Sequence, residues 1–162
     1  MALQRKGISV QQSSRLAIFA LIELASNPDR QISAAEIGTK YRVSAHHLAK
    51  VLLTLGRAGL VQSIRGVGGG YSFTGNAKRL TLLDIISLFE DTTNSCKLAD
   101  PSVATAEEWA LYDVNKEIND ISLSTYGSLS ITTLLKLVER RRKAQGRAKQ
   151  DSKDLNPAEL PA

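Results

Sequence analysis

Residues 32–73, ISAAEIGTKYRVSAHHLAKVLLTLGRAGLVQSIRGVGGGYSF, decide the fold. Ser33 and Glu36 form the pattern Ser-x-x-Glu. In it the serine hydroxyl takes a free helix-start amide while the glutamate reaches back to the cap amide. The pattern predicts a short helix through about Lys40, with a turn at Tyr41-Arg42-Val43. Ser44 is a second N-cap, opening a helix from Ala45 to about Ala58. Within it Leu48, Val51, Leu52 and Leu55 recur at the spacing of one buried face. Gly59 stops that helix, because glycine accepts the left-handed conformation that ends helices. Two capped helices joined by a tight turn, the second one longer, make a helix-turn-helix pattern.

Residues 60–64 and 71–74 follow as β patterns around Arg65-Gly66-Val67-Gly68-Gly69-Gly70. Two strands with a glycine-rich tip, directly after the second helix, predict a wing. Gly66, Gly68 and Gly69 permit a flat tip whose bare backbone approaches phosphates closely. Arg65 is placed for a minor groove or a phosphate. A nucleotide-phosphate loop is excluded, since that needs Gly-Lys-Ser/Thr opening a helix, and here the glycines lead into a strand.

If this unit binds DNA, the second helix presents Ser44, Ala45, His46, His47 and Lys50 at its leading end, where recognition helices touch base edges. Ala49 and Thr54 also face away from the apolar stripe. A metal role for His46 and His47 is disfavoured. Adjacent helical residues diverge by about 100°, and no carboxylate or thiol stands at helical spacing beside them.

Outward from this unit, residues 12–26 form a helix pattern in which Leu16, Phe19, Ala20 and Leu24 share a stripe that Ile18, Leu21 and Ile22 widen. Asn27-Pro28-Asp29 ends it. Residues 80–89 read as another apolar helix with Thr81 as cap. Residues 91–105 are a polar loop holding Cys96, long enough to expect a role in sensing. From Ala106 to about Thr125, Leu111, Val114, Ile118, Ile121 and Thr125 recur in steps of three and four, the spacing of a coiled-coil seam, with Trp109 and Tyr112 beside it. A helix packed on its own domain shows the same stripe, but after a complete DNA-binding unit dimerisation is the reading adopted. Ile131 begins a last amphipathic helix that ends in Glu139-Arg140-Arg141-Arg142-Lys143, either a solvated helix end or a supplementary phosphate contact. Residues 146–162 lack periodicity and are expected to be disordered. The expected organisation is therefore a DNA-binding domain over 1–90, a sensor-type loop over 91–105, a dimerisation helix and C-terminal helix over 106–145, and a tail. The fold class is mainly α with a small two-stranded β wing.

Charge agrees with this division. Residues 1–90 carry 11 Lys and Arg against 5 Asp and Glu, residues 91–138 carry 3 against 7, and residues 139–162 carry 7 against 4. A basic front half suits a polyanionic partner. Aromatics are only 5% of the chain, which argues against a stacking platform for single strands. One cysteine builds neither an intrachain disulfide nor a multi-thiolate cage, and no apolar run is long enough to span a membrane. A cytoplasmic protein is expected, with no membrane association.

With the wing in place, the chain resembles the Rrf2-type family of winged helix-turn-helix repressors over residues 15–135. The resemblance rests on Ser33-Ala34-Ala35-Glu36-Ile37, Val43-Ser44, Leu48, Leu55-x-x-Ala58-Gly59-Leu60-Val61, and Ser63-Ile64-Arg65-Gly66-x-Gly68-Gly69-Gly70-Tyr71. Leu82-Leu83-Asp84-Ile85-Ile86 and Ser130-Ile131-Thr132 add to it, and Val67 stands where the family usually has proline. The resemblance implies that Ser44, His46, His47 and Lys50 match recognition-helix positions and that Arg65 matches the wing arginine of the minor groove. Members that hold an iron–sulfur cluster carry three cysteines in the loop before the dimerisation helix. Here that loop has only Cys96, near the first of those positions, so no cofactor is expected, although a cluster shared across subunits with carboxylate ligands stays open.

The leading expectation is a homodimeric, sequence-specific regulator of transcription, a repressor, acting on double-stranded DNA. Its input is either redox chemistry at Cys96 or a ligand acting through the loop. The alternatives are a winged-helix adaptor that binds protein and not DNA, or an atypical iron–sulfur sensor. Catalysis is not expected, since no triad, paired acid or nucleotide loop is present.

Overall fold

The structure, a computed structural model, describes residues 10–92, 98 and 100–154. Six helices and one hairpin follow in order: α1 (Gln12–Ala25), α2 (Ala34–Tyr41), α3 (Ala45–Arg57), β1 (Val61–Ile64), β2 (Gly70–Phe73), α4 (Leu82–Ile86), α5 (Ala106–Ser128) and α6 (Ile131–Asp154). The chain is mainly α with a two-stranded antiparallel wing, as the sequence predicts.

Local chemistry starts α2, α4 and α5. Ser33 and Glu36 close a capping box on α2, Thr81 and Asp84 one on α4, and Thr105 and Glu108 one on α5. The Ser33 backbone amide, then its hydroxyl, then Arg30 stabilise the Glu36 carboxylate and hold its pKa below the ordinary range. No side chain caps α1 from within its own sequence. Instead Glu90, just past α4, accepts the Gln11 amide at 2.8 Å and the Ser14 hydroxyl, placing a carboxylate on the positive end of the α1 dipole.

The core lies between α1, α3, α4 and the first turn of α6. Leu16, Leu21 and Leu24 of α1 meet Leu48, Leu52 and Leu55 of α3, with Ile37, Ile85 and Ile131 closing the ends. α6 is anchored by its entry. Leu82 donates to Leu129 at 2.8 Å and Ile131 donates to Leu80 at 2.9 Å, clamping the starts of α4 and α6 together.

The wing pairs Val61 with Phe73 and Ile64 with Gly70. Its second strand, β2, also reaches the segment before α2, where Ile32 and Tyr71 exchange amide–carbonyl bonds at 3.0 and 2.9 Å. Gly70 lets this approach happen: a Cβ there would stand 2.7 Å from the Ile32 carbonyl oxygen. At the tip, Gly69 donates to the Gly66 carbonyl at 2.9 Å, and Gly68 takes φ +76°, the left-handed corner of a tight turn.

Two expectations are corrected. Residues 146–154, expected in a disordered tail, continue α6 as helix to Asp154. Lys, Ala, Gln and Arg around Gly146 are strong helix formers, and a single glycine costs only about 1 kcal/mol, so the helix outruns its packed face. The helix expected over 80–89 is shorter, with Leu82–Ile86 helical and turns after it. Residues 1–9, Cys96 and the tail beyond 154 lie outside the described residues. No helix among the described residues is long and apolar enough to cross a membrane.

Two substitutions test this packing. Ile85→Ala removes a fully buried side chain and is expected to cost about 2–5 kcal/mol in urea unfolding at fixed protein concentration, against a few tenths for exposed Val103→Ala. Gly69→Ala puts a Cβ 2.5 Å from the Ile64 carbonyl oxygen, so the tip must open. Its amide signals in heteronuclear NMR should shift across residues 64–70 while the core melts as before. An unchanged tip would refute the turn.

Candidate nucleic-acid interface

Ser44 sits at the N-cap of α3, its hydroxyl accepting the His47 amide at 3.3 Å. With Leu48, Val51, Leu52 and Leu55 turned into the core, the opposite face of α3 presents Ala45, His46, Ala49, Lys50 and Leu53 to solvent. Arg65, Gly66 and Gly68 are exposed at the wing and Gly69 is half-buried behind them. Among the described residues, neither Lys50 nor Arg65 lies within ion-pair distance of a carboxylate. Both cations are therefore available to an external anion.

α3 and the wing are not separate surfaces. A trough of about 490 Å³ runs between them, with Ala49, Leu53 and Arg57 on the helix side and Ser63 and Tyr71 on the strand side. The outward face of α3 and the hairpin thus border one concave surface.

The structure separates two residues that the sequence groups together. His46 is exposed, whereas His47 is half-buried with its Nε2 3.2 Å from the Ser13 hydroxyl of α1. His47 turns toward the helix behind α3, and His46 toward open solvent. Leu53 was missed by the reading of the sequence. It is 54% exposed beside the buried Leu52, and the signal was present in the Leu52-Leu53 doublet, since neighbours 100° apart cannot both enter a narrow core stripe. Arg42 was also missed; it is exposed and takes φ +55° at the end of α2.

α5 presents the opposite kind of surface. Trp109, Leu111, Val114, Ile118 and Ile121 are between 41% and 62% exposed, and no residue of this helix is buried. The Trp109 and Tyr112 rings meet edge to face with centroids 5.7 Å apart.

The donor set does not suit an iron centre of the usual kind. The chain holds one cysteine and two histidines, both on α3. Among the described residues no three His, Cys, Asp or Glu side chains gather in a way that could hold a metal ion.

Comparison with known proteins gives a consistent result. The Rrf2 family model, described as an iron-dependent transcriptional regulator, matches residues 10–140. A relative from Rhodopseudomonas palustris, BadM, described as an HTH-type transcriptional regulator, is 50% identical over 139 residues, covering 85% of this chain and 88% of its own. Among solved structures, CymR of B. subtilis, described as the global cysteine regulator, superposes with a TM-score of 0.63 at 23% identity, covering 81% of this chain and 98% of that one. T. potens IscR gives a TM-score of 0.62 at 24% identity, covering 83% and 91%. These two likenesses show the fold, and the family match together with the 50% identical relative shows the membership: the chain belongs to the Rrf2 family of winged helix-turn-helix, DNA-binding transcriptional regulators.

Proposed function

We propose that the chain is a homodimeric repressor that reads a two-fold operator, with α3 in a major groove and the wing in the adjacent minor groove. The observation that carries this reading is the pair of cations, Lys50 and Arg65, unpaired among the described residues, on the two elements bordering one concave surface. Lys50 serves phosphates, while exposed His46 and the small side chains Ala45 and Ala49 meet base edges; alanine packs well against a thymine methyl. Arg65 enters the minor groove beside the flat tip of Gly66, Gly68 and Gly69. Ser44 holds the start of α3, and His47 steadies α3 from behind through Ser13.

The dimer is supported by the exposed seam of α5. Four aliphatic side chains at heptad spacing are a poor surface to leave in water and a good one to pair with a copy of itself. We read the regulator as working without an iron–sulfur cluster, since one cysteine per chain supplies a dimer with half of the roughly four ligands a cluster needs. Cys96, the single thiol, stands in the sequence between the segment of the DNA-binding unit and that of α5, which supports it as a redox input. Derepression by oxidants that persists in Cys96→Ser would remove that role.

Anisotropy titrations on a duplex from the chain's own promoter region test the DNA contacts. Lys50→Ala, which removes one phosphate contact from each subunit, should weaken every duplex alike and lower the salt slope of the dimer by about 1.8. His46→Ala should reduce the ratio of specific to non-specific affinity with the slope unchanged. A wild-type protein without sequence preference would sink the reading. The seam is tested separately by Leu111→Asp with Ile121→Asp. The sedimented mass should halve and operator binding should fall, with helical circular dichroism retained. A variant that stays dimeric would place the interface elsewhere.

A further inference from the structure

The outer face of α1, turned away from α3, is not bare. Phe19 and Ile22 form the floor of a groove of about 450 Å³ whose far wall is Leu134, Leu137 and Val138 of α6 and whose end is closed by Tyr41. Phe19 and Tyr41 stack with centroids 4.9 Å apart at 14°, giving a flat aromatic base. Volume and lining are those of a small-molecule site, where an apolar body is desolvated and a few polar groups fix its orientation.

The rim is cationic and its charges are unequally spent. Lys40 is ion-paired with Glu23, whose carboxylate also accepts the Tyr41 hydroxyl at 3.3 Å. Desolvation, with Glu23 adding to it, pushes the Tyr41 pKa up to about 12, so this hydroxyl keeps its proton. Further along α6, Lys143 is satisfied by Glu139 at 2.7 Å. Arg141 and Arg142 also line the groove, and among the described residues no carboxylate stands within ion-pair distance of either. Counting Lys40, Arg141 and Arg142 against Glu23, the groove holds two uncompensated positive charges above an apolar floor. Both arginines lie past residue 140, where the family match ends. They exist here because α6 continues as helix beyond the core.

We propose that this groove binds a small organic carboxylate with an apolar body, which lies on Phe19, Tyr41 and Leu137 while its carboxylate is gripped by Arg141 and Arg142. Guanidinium is the suitable partner because its planar fork takes a carboxylate with two parallel hydrogen bonds and is more weakly hydrated than an ammonium. The site goes beyond the DNA reading and does not depend on it. Its position nevertheless suits an input, since the same α1 packs its other face on α3 and meets His47 through Ser13.

The test is calorimetric titration of the full chain, without DNA, using octanoate and 1-naphthoate against octanol and acetate. The two amphipathic carboxylates should saturate one site per chain, with octanol and acetate about tenfold weaker or worse. The double variant Arg141→Gln/Arg142→Gln should weaken octanoate by at least about tenfold with an unchanged melting midpoint. Leu137→Trp, at a wall position 44% exposed, should fill the groove and abolish binding. Octanol binding as well as octanoate would reveal an unselective apolar patch and overturn the proposal. So would undiminished binding by either variant. A change of sedimented mass in either variant would assign the groove to an interface between copies of the chain, which also overturns it. Operator affinity of the same variants, measured in parallel, keeps the two functional readings apart.

Discussion

The two backbone bonds between Ile32 and Tyr71 are the constraint on which the DNA-facing half depends. Ile32 immediately precedes the Ser33 cap, so these bonds tie β2 to the start of α2. From there little freedom remains. α2 ends at Arg42 in the left-handed region, and Val43 donates to the Gly38 carbonyl at 3.0 Å, which sets the angle at which α3 leaves. A Cβ on Gly38 would sit 3.2 Å from the Val43 carbonyl oxygen, so the turn closes tightly over this residue. The wing and α3 are thus oriented by main-chain contacts. The exposed side chains of α3 take no part in these contacts.

Behind this unit α1 has two jobs on two faces. One face supplies Leu16, Leu21 and Leu24 to the core, and its first turn is held by Glu90 and by the Ser13–His47 contact. The other face carries Phe19 and Ile22 under α6. An apolar stripe wider than one core requires was already visible in residues 16–24, and the second face is what it was for.

What was legible in the sequence was what local chemistry determines. The boxes Ser33/Glu36 and Thr81/Asp84, the cap Ser44, the stop at Gly59 and the stripe Leu48-Val51-Leu52-Leu55 each act within a few residues, and the helices start where these features place them. The pairing of Ile32 with Tyr71 joins residues far apart in the chain and has no local signature. The divergence of His46 and His47 is of the same kind, because it depends on where the start of α1 lies in space. The length of α6 was missed for a different reason. Without a buried face beyond Val138 there is no periodicity to see, and propensity alone carries that helix onward.

The seam of α5 and the groove under α6 differ in shape, and that decides what each accepts. Leu111, Val114, Ile118 and Ile121 project from a convex helix already half covered by its own side chains, so pairing gains only part of the roughly 1.5–3 kcal/mol that full burial of each would give. One copy's contribution is then comparable with the cost of association, about 4–15 kcal/mol. A symmetric pair doubles the number of side chains buried at a single association cost, and Trp109, an aromatic at the edge of the stripe, adds to the buried area. The groove offers the reverse: a concave floor that a convex helix would cover without filling, beneath two guanidiniums that an apolar partner would leave desolvated and unpaired. Shape and charge together therefore support the two proposals, α5 for a second copy and the groove for a compact anion.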